Sequence, residues 1–290
     1  MLRLLITSDL HYNITRSQLP ARRLARQVLR VGGDALVLVG DTAGIDLGVF
    51  RDALGLFDEF KGVKLLVPGN HCLWRNDGGS SLERYEHTLP DLARECGFAV
   101  LDVEPVTLGD VGLVGSIGWY DYSFAQASLG IPLEFYRHKV SPGAAAYMGM
   151  DDLVERHRPT LSEEVLSMGV RWTDGQYVRL GMSDEEFTAR LADTLDRQLA
   201  ELSPRVSQIV AFLHHLPFAQ LVPEVRHPRV AFAAAYMGSG VFGQVLRKFP
   251  KITHVYCGHS HWHMQVRIDQ MEAVSIGSTY KEKHLEILEL

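Results

Sequence analysis

Cysteine is scarce in this chain: there are three in 290 residues, Cys72, Cys96 and Cys257. An odd number at wide spacing argues against a disulfide framework and for a reducing compartment. Long apolar runs are missing too, and none approaches the ~20 residues of a membrane span. The N-terminal stretch MLRLLITSD turns polar too early to form the apolar core of a signal peptide. A basic excess is also absent. Lys+Arg total 29 against 35 Asp+Glu, for a formal charge of −6. Phosphate neutralisation supplies most general nucleic-acid affinity, so this balance argues against a nucleic-acid partner. No internal repeat or low-complexity tract is visible. With 46% hydrophobic and 22% charged residues, the chain can bury a sizeable core. These features describe a soluble, cytoplasmic protein that does not engage a membrane.

The apolar pattern predicts strands over 2–7, 34–39 and 63–67, alternating with helices over 20–31, 49–60 and 81–96. Such alternation implies right-handed crossovers and a largely parallel sheet, with ligands beyond the carboxyl ends of its strands. From 98 to 119 the pattern changes to short strands with turns. Residues 120–182 have weak periodicity and many aromatics, and read as a cap-like insertion in a single domain spanning 1–290. Ser183 with Glu186 three residues on is a capping box, opening a helix predicted to reach Leu202. Strands follow over 208–213 and 253–256. The tail reads as two or three antiparallel strands.

Five loops hold the residues that carry chemistry: Asp9-Leu10-His11, Gly40-Asp41, Gly69-Asn70-His71, His214-His215, and Gly258-His259-Ser260-His261. Their carboxylates, imidazoles and amide oxygen suit Mn, Fe, Zn, Ni or Co better than Ca or Cu(I). In extended chain, residues i and i+2 point to the same side, so Asp9 with His11, and His259 with His261, can each aim two ligands at one locus. A lone D-x-H or G-D is common at strand ends. The discriminating feature is the ordered set of five.

That set, D-x-H, G-D, G-N-H, H and G-H-x-H, resembles the calcineurin-like metallophosphoesterase superfamily, from Asp9 to His261. The resemblance implies a four-layer α/β/β/α sandwich of two mixed β-sheets flanked by helices. It also implies hydrolysis of a phosphomonoester or phosphodiester, through attack by a hydroxide bridging two divalent or trivalent metal ions. Position by position, Asp9, His11, Asp41 and His261 would hold the first ion. Asp41, Asn70, His214 and His259 would hold the second, with Asp41 bridging. His71 would lie near the leaving group as general acid or phosphate donor, and Asn70 would also face the substrate. HHLPF offers two candidates for the fourth loop. His214 follows the strand directly and is preferred, which leaves His215 to support the ligands or to meet the substrate. The expected partner is a small phosphorylated molecule, such as a nucleotide.

The chain departs from the family's pattern at two places. Cys72 stands where an acidic residue usually follows G-N-H, and Gly44 stands three positions after Asp41 where many members are acidic. Asp121 is the candidate replacement carboxylate near His71. Cys72 itself could be nucleophile, ligand or packing residue. A metal hydroxide makes a thiol nucleophile unnecessary and the ligand set is already complete, which favours packing. His263 could reach substrate phosphate or be a surface strand residue. Trp74, Trp119, Tyr120 and Tyr122 could stack on a nucleobase or pack between cap and sandwich. Arg137-His138-Lys139 and Arg156-His157-Arg158 could bind phosphate or form a solvated face. A nuclease or a protein phosphatase of the same fold is the main alternative. The acidic balance opposes the first, and the missing G-D-x-x-D-R pattern opposes the second. A non-catalytic metal-binding module is the other alternative, motivated by Cys72 and Gly44.

Overall fold

The computed structural model describes residues 1–224 and 227–290. Among the described residues, eleven strands form two mixed sheets. They are β1 (Arg3–Thr7), β2 (Ala35–Val39), β3 (Val63–Val67), β4 (Phe98–Val100), β5 (Val106–Leu108), β6 (Val111–Ser116), β7 (Gln208–Leu213), β8 (Ile252–Cys257), β9 (Met264–Ile268), β10 (Met271–Ser275) and β11 (Glu286–Glu289). The first sheet has the order β11-β1-β2-β3-β4 and the second β5-β6-β7-β8-β10-β9. Strands β1 to β4 are parallel, as are β6, β7, β8 and β10. The edge strands β11, β5 and β9 run antiparallel to their neighbours.

Alternation along each strand explains the layers. Leu4, Ile6, Val37, Val39, Leu65, Val67, Val210 and Phe212 belong to one buried cluster between the sheets. Their sequence neighbours Leu5, Leu36, Leu38, Leu66, Ile209 and Ala211 belong to another, which packs against the helices. Strands buried on both faces read as continuous apolar runs, and these do. Full burial of a side chain such as Phe212 contributes about 1.5–3 kcal/mol. At Gly115 a Cβ would stand 2.5 Å from the Leu101 Cβ and 2.7 Å from the Val67 Cγ2, so glycine sets how closely the sheets approach there. The α/β/β/α architecture is the one the resemblance implied.

Local details differ from the sequence reading. The first helix begins earlier, at Thr15, and runs to Val31 with Pro20 inside. Its first turn is tied to the loop after β1 by Ser17 Oγ donating to the Leu10 carbonyl at 2.7 Å. The helix expected over 81–96 contains a π-turn at Arg84–Thr88. The tail forms one antiparallel pair, β9 with β10, and not a continuous antiparallel set. β10 pairs in parallel with β8, and β11 crosses to the first sheet. Pairing direction is a long-range choice that alternation within one strand does not encode.

Between β6 and the helix Asp184–Leu202 lie short helices at Leu133–Arg137, Pro142–Tyr147, Asp151–His157 and Asp174–Tyr177. Phe135, Val140, Ala145, Leu153, Val154 and Val165 form a small core of their own there. The basic triplets in this segment meet acidic neighbours: Arg137 pairs with Glu185, Lys139 with Asp184, Arg156 and His157 with Glu134, and Arg158 with Glu155. Among the described residues, no helix is long and apolar enough to cross a membrane.

Just beyond β4, the Asp102 Oδ1 accepts from the Ile117 amide at 2.5 Å and the Tyr85 hydroxyl at 2.8 Å. Its Oδ2 has no partner among the described residues. Burial outweighs the two donors and pushes the carboxyl from 3.8 up to about 7. The folded chain therefore keeps a proton between about pH 4 and 7 that the unfolded chain has released, and this group's contribution to stability falls as pH rises through that window. Asp102→Asn, which preserves the accepting oxygen, is expected to remove that slope. Urea midpoints of both proteins from pH 4 to 8 measure it, and parallel curves would refute the assignment.

Candidate metal centre

All five loops lie at the carboxyl ends of β1, β2, β3, β7 and β8, where the two sheets meet. Backbone bonds continue the ladders past the strand ends: Asp9 N–H to the Gly40 carbonyl at 3.0 Å, His11 N–H to Asp41 at 2.8 Å, and Gly258 N–H to His214 at 3.2 Å. The motif glycines make room for side chains from other loops. A Cβ on Gly40 would stand 1.9 Å from the His214 Nδ1, one on Gly69 2.2 Å from the Asp41 Oδ1, and one on Gly258 2.8 Å from the Asp9 Oδ2. Asp9, His11, Asp41, His259 and His261 all have positive φ, between 43° and 67°. Such left-handed residues cost about 1–3 kcal/mol each and cluster at functional sites.

The donor atoms converge on two loci. Asp9, His11 and His261 form one group and Asp41, His214 and His259 another, while a third, His11 with Asp41 and His71, shares His11 with the one and Asp41 with the other. In the first, the His261 Nε2 lies 3.5 Å from the Asp9 Oδ1 and 3.1 Å from the His11 Nε2. Asp41 faces both: its Oδ2 is 3.5 Å from the His11 Nε2, and its Oδ1 is 3.5 Å from the His214 Nε2. The Asn70 Oδ1 is 3.2 Å from that same nitrogen. Two ligands about 2.1 Å from one ion stand roughly 3.0–3.4 Å apart, so these spacings fit a cation at each locus. Asp9 and Asp41 are buried, and among the described residues their side chains form ion pairs only with imidazoles. Buried carboxylates require positive charge nearby.

Carbonyls set the imidazole tautomers. The His214 Nδ1 donates to the Val39 carbonyl and the His259 Nε2 to the Tyr236 carbonyl, each at 3.2 Å. The His214 Nε2 and His259 Nδ1 are left for the locus, an anchoring common at metal sites. Burial raises the Asp41 carboxyl, but His71, His214 and His11 outweigh it and hold it well below its usual range. Burial opposes charge on His214, yet Asp41 raises it to about 9. His11 and His259 are pushed well down, chiefly by burial.

His71 stands at the opening, its side chain 16% exposed and its Nε2 3.8 Å from the Asp41 Oδ2. Its backbone N–H donates to the Asp41 Oδ1 at 2.9 Å. Its ring stacks on Trp74, with centroids 3.6 Å apart. Asp121 does not support His71. Its Oδ1 accepts from Ser123 and its Oδ2 from Ser239, and the carboxylate beside His71 is Asp41. His215 does not line the opening either. It is fully enclosed, its Nδ1 bonds the Ile117 carbonyl, its ring packs on His259, and burial pushes it down to about 3.

Trp119, Tyr120 and Tyr122 are buried, so they do not form an open stacking wall. His263 stacks on His284 at the surface and faces Glu286.

Other side chains in the site went unnoticed in the sequence. The buried Arg84 donates to the carbonyls of Trp74 and Ile45, tying the loops after β3 and β2. Tyr280 packs edge-on against His11 and His261, with Arg16 over its ring. Asp174 accepts from the Asn70 side chain at 2.9 Å. None of them belongs to a recognisable spacing. The only local signal was the W-T-D triplet at Trp172-Thr173-Asp174.

Cys72 is buried, and its Sγ accepts from the Gly69 amide at 3.4 Å. Burial and the nearby Asp41 raise its thiol to about 11. Burial also raises Cys257. Thiolates, not thiols, react. Iodoacetamide at pH 8 is therefore expected to modify the partly exposed Cys96 in the native protein and leave Cys72 and Cys257 intact. Peptide mass spectrometry reads this directly, and early labelling of Cys72 would contradict it.

No protein-family model and no curated protein matches the chain. Solved structures do. The phosphopantetheinyl hydrolase of Mycobacterium tuberculosis superposes with a TM-score of 0.70 at 18% identity, covering 96% of this chain and 89% of that one. TT1561 of Thermus thermophilus gives 0.56 at 12% identity, covering 99% and 98%. A dimetal phosphatase from Danio rerio gives 0.53 at 14%, covering 99% and 91%. Two mixed sheets packed back to back, and these likenesses over nearly the whole length, show that the chain has the fold these three structures share.

Proposed function

We propose that the protein is a metal-dependent phosphoesterase acting on a small phosphorylated molecule. The observation that carries this reading is the placement of Asp41, whose two carboxylate oxygens face separate groups of imidazole and carboxylate donors. Asp9, His11, Asp41 and His261 would hold one ion, and Asp41, Asn70, His214 and His259 the other. Two such ions lower the pKa of a water and offset charge on phosphate oxygens. Their donor types fit Mn, Fe, Zn, Ni or Co.

This chain's own residues do the rest. Asp41 keeps the two loci a fixed distance apart. The carbonyls of Val39 and Tyr236 hold the His214 and His259 rings, so nothing need reorganise during reaction. His71 is outside both ligand sets and is partly exposed, which suits it to donate a proton to the leaving oxygen. Trp74 stacked on its ring limits the directions in which it can donate. The ligands are sunk beneath the surface. His71 and His261, with side chains 16% and 24% exposed, are the ligand-loop imidazoles nearest the solvent. A phosphate must reach inward to meet them, which favours a slender phosphomonoester or phosphodiester over a folded phosphoprotein. The likeness to a phosphopantetheinyl hydrolase and a dimetal phosphatase accords with this chemistry.

Turnover of an aryl phosphate with added Mn²⁺ tests the reading. Asp41→Asn is expected to abolish most of it, and chelation to remove it reversibly. Loss of a general acid costs about 10²–10⁴-fold. His71→Ala should lose rate in that range on an alkyl phosphate, and less on an aryl phosphate whose leaving group needs no proton. Full activity in Asp41→Asn would refute the proposal. An equal loss on both substrates would deny His71 the acid role.

A further inference from the structure

Asp174 is fully buried, and four donors converge on it. Its Oδ1 accepts from the Asn70 Nδ2 at 2.9 Å and the Trp74 Nε1 at 2.6 Å. Its Oδ2 accepts from the Tyr120 hydroxyl at 3.0 Å and the Trp172 Nε1 at 2.8 Å. Three of these four are N–H groups that can only donate, so each oxygen faces at least one donor that only an acceptor can satisfy. Asp174 opens the short helix Asp174–Tyr177, in the segment between β6 and the helix Asp184–Leu202. That turn is tied to the loop after β3 by Arg75 N–H donating to the Tyr177 carbonyl at 2.9 Å and Ser81 N–H donating to Arg179 at 2.8 Å.

An asparagine amide is nearly symmetric in shape, and only its neighbours decide which end faces a cation. At Asn70, the oxygen end lies 3.2 Å from the His214 Nε2 and the nitrogen end points at Asp174. A carboxylate, which accepts and cannot donate, excludes the flipped amide. The same Oδ1 holds the Trp74 indole, whose ring stacks on His71. We propose that Asp174 is a positioning residue for the reaction: it orients the Asn70 oxygen toward the second ion and holds Trp74 against His71. The inference rests on the two-ion reading above. It makes the insertion part of the metal centre.

Asp174→Asn is the probe, because it keeps the shape and removes one acceptor. The new amide cannot satisfy all four donors. With its NH₂ toward Trp172 it meets an N–H that cannot accept. With its NH₂ toward Asn70 it drives that amide to flip, turning a nitrogen to the ion. Loss of an outer hydrogen-bond partner typically costs 10–100-fold in metal affinity. Titration of the metal-free protein with Mn²⁺ by calorimetry should show the second site weakened by that factor and the first unchanged.

Loss of negative charge alone would also weaken a cation, so the discriminating experiment is rescue. Trp172→Phe removes the indole donor and keeps a ring to stack on Tyr236, 4.8 Å away. In Trp172→Phe/Asp174→Asn, the amide NH₂ can face the Tyr120 hydroxyl, which can accept, and the amide oxygen can face Asn70. The second-site affinity is expected to return to near wild type with the charge still absent.

Wild-type affinity in Asp174→Asn, or no recovery in the double variant, overturns the proposal and leaves the two-ion reading standing. A wild-type chain that binds fewer than two Mn²⁺ overturns both. If the single variant does not fold, the double variant is compared with Trp172→Phe. Equal second-site affinities support the positioning role, and a tenfold loss in the double variant overturns it.

Discussion

Asp9 and Asp41 are carboxylates sunk at the junction of two sheets; among the described residues they form ion pairs only with imidazoles, and Lys283 stands close by with its Nζ donating to the Asp9 carbonyl. Desolvating a carboxylate is expensive unless positive charge is close. The surroundings respond to that demand. Imidazoles from four loops point their nitrogens at the two groups, and backbone amides of His71 and His259 donate to them. The cost extends to the backbone, where five residues of the site are held at positive φ. Strain and buried charge at one place are hard to explain by stability. They are what a preorganised cation site requires.

The sheets make this convergence possible. Each parallel strand delivers its loop to the same end, so chemistry collects there without any strand having to bend. Two sheets back to back bring two such edges together, and His214, following β7, comes to lie against the loop after β2. The approach is tight enough that Gly40 and Gly69 leave no space for a side chain. The glycines of the motifs are therefore steric requirements of the neighbouring loop as much as turn residues of their own.

The segment between β6 and the long helix completes the site from outside the sandwich. Four of its aromatics bond to buried acidic anchors: Trp119 and Tyr122 to Asp184, and Trp172 and Tyr120 to Asp174. What looked like an open aromatic wall is the cement between this segment and the sheets. Trp74 is shared between the two roles, stacked on His71 and bonded to Asp174. Support for His71 thus comes from a ring and from Asp41, not from the carboxylate that Cys72 and Gly44 leave missing.

The parallel strands and the polar loops at their ends were legible in the sequence because they are local: apolar period, strand length and motif order encode them, whereas the pairing of two sheets into a sandwich was implied only by the family resemblance of the motifs. The direction of β10, the crossing of β11 and the enclosure of His215 were not, because each depends on which distant strand lies alongside. Asp121 looked as good a partner for His71 as any carboxylate, but tertiary packing turned it to Ser123 and Ser239. Asp174 carried no periodic signature. It gained its place only when the segment carrying it folded over the loop after β3. The sequence by itself determined which chemical groups this protein could assemble, since residue type fixes what can bind a cation. Tertiary structure alone decided which way Asn70 faces and what holds His71, since orientation depends on neighbours far away in the chain.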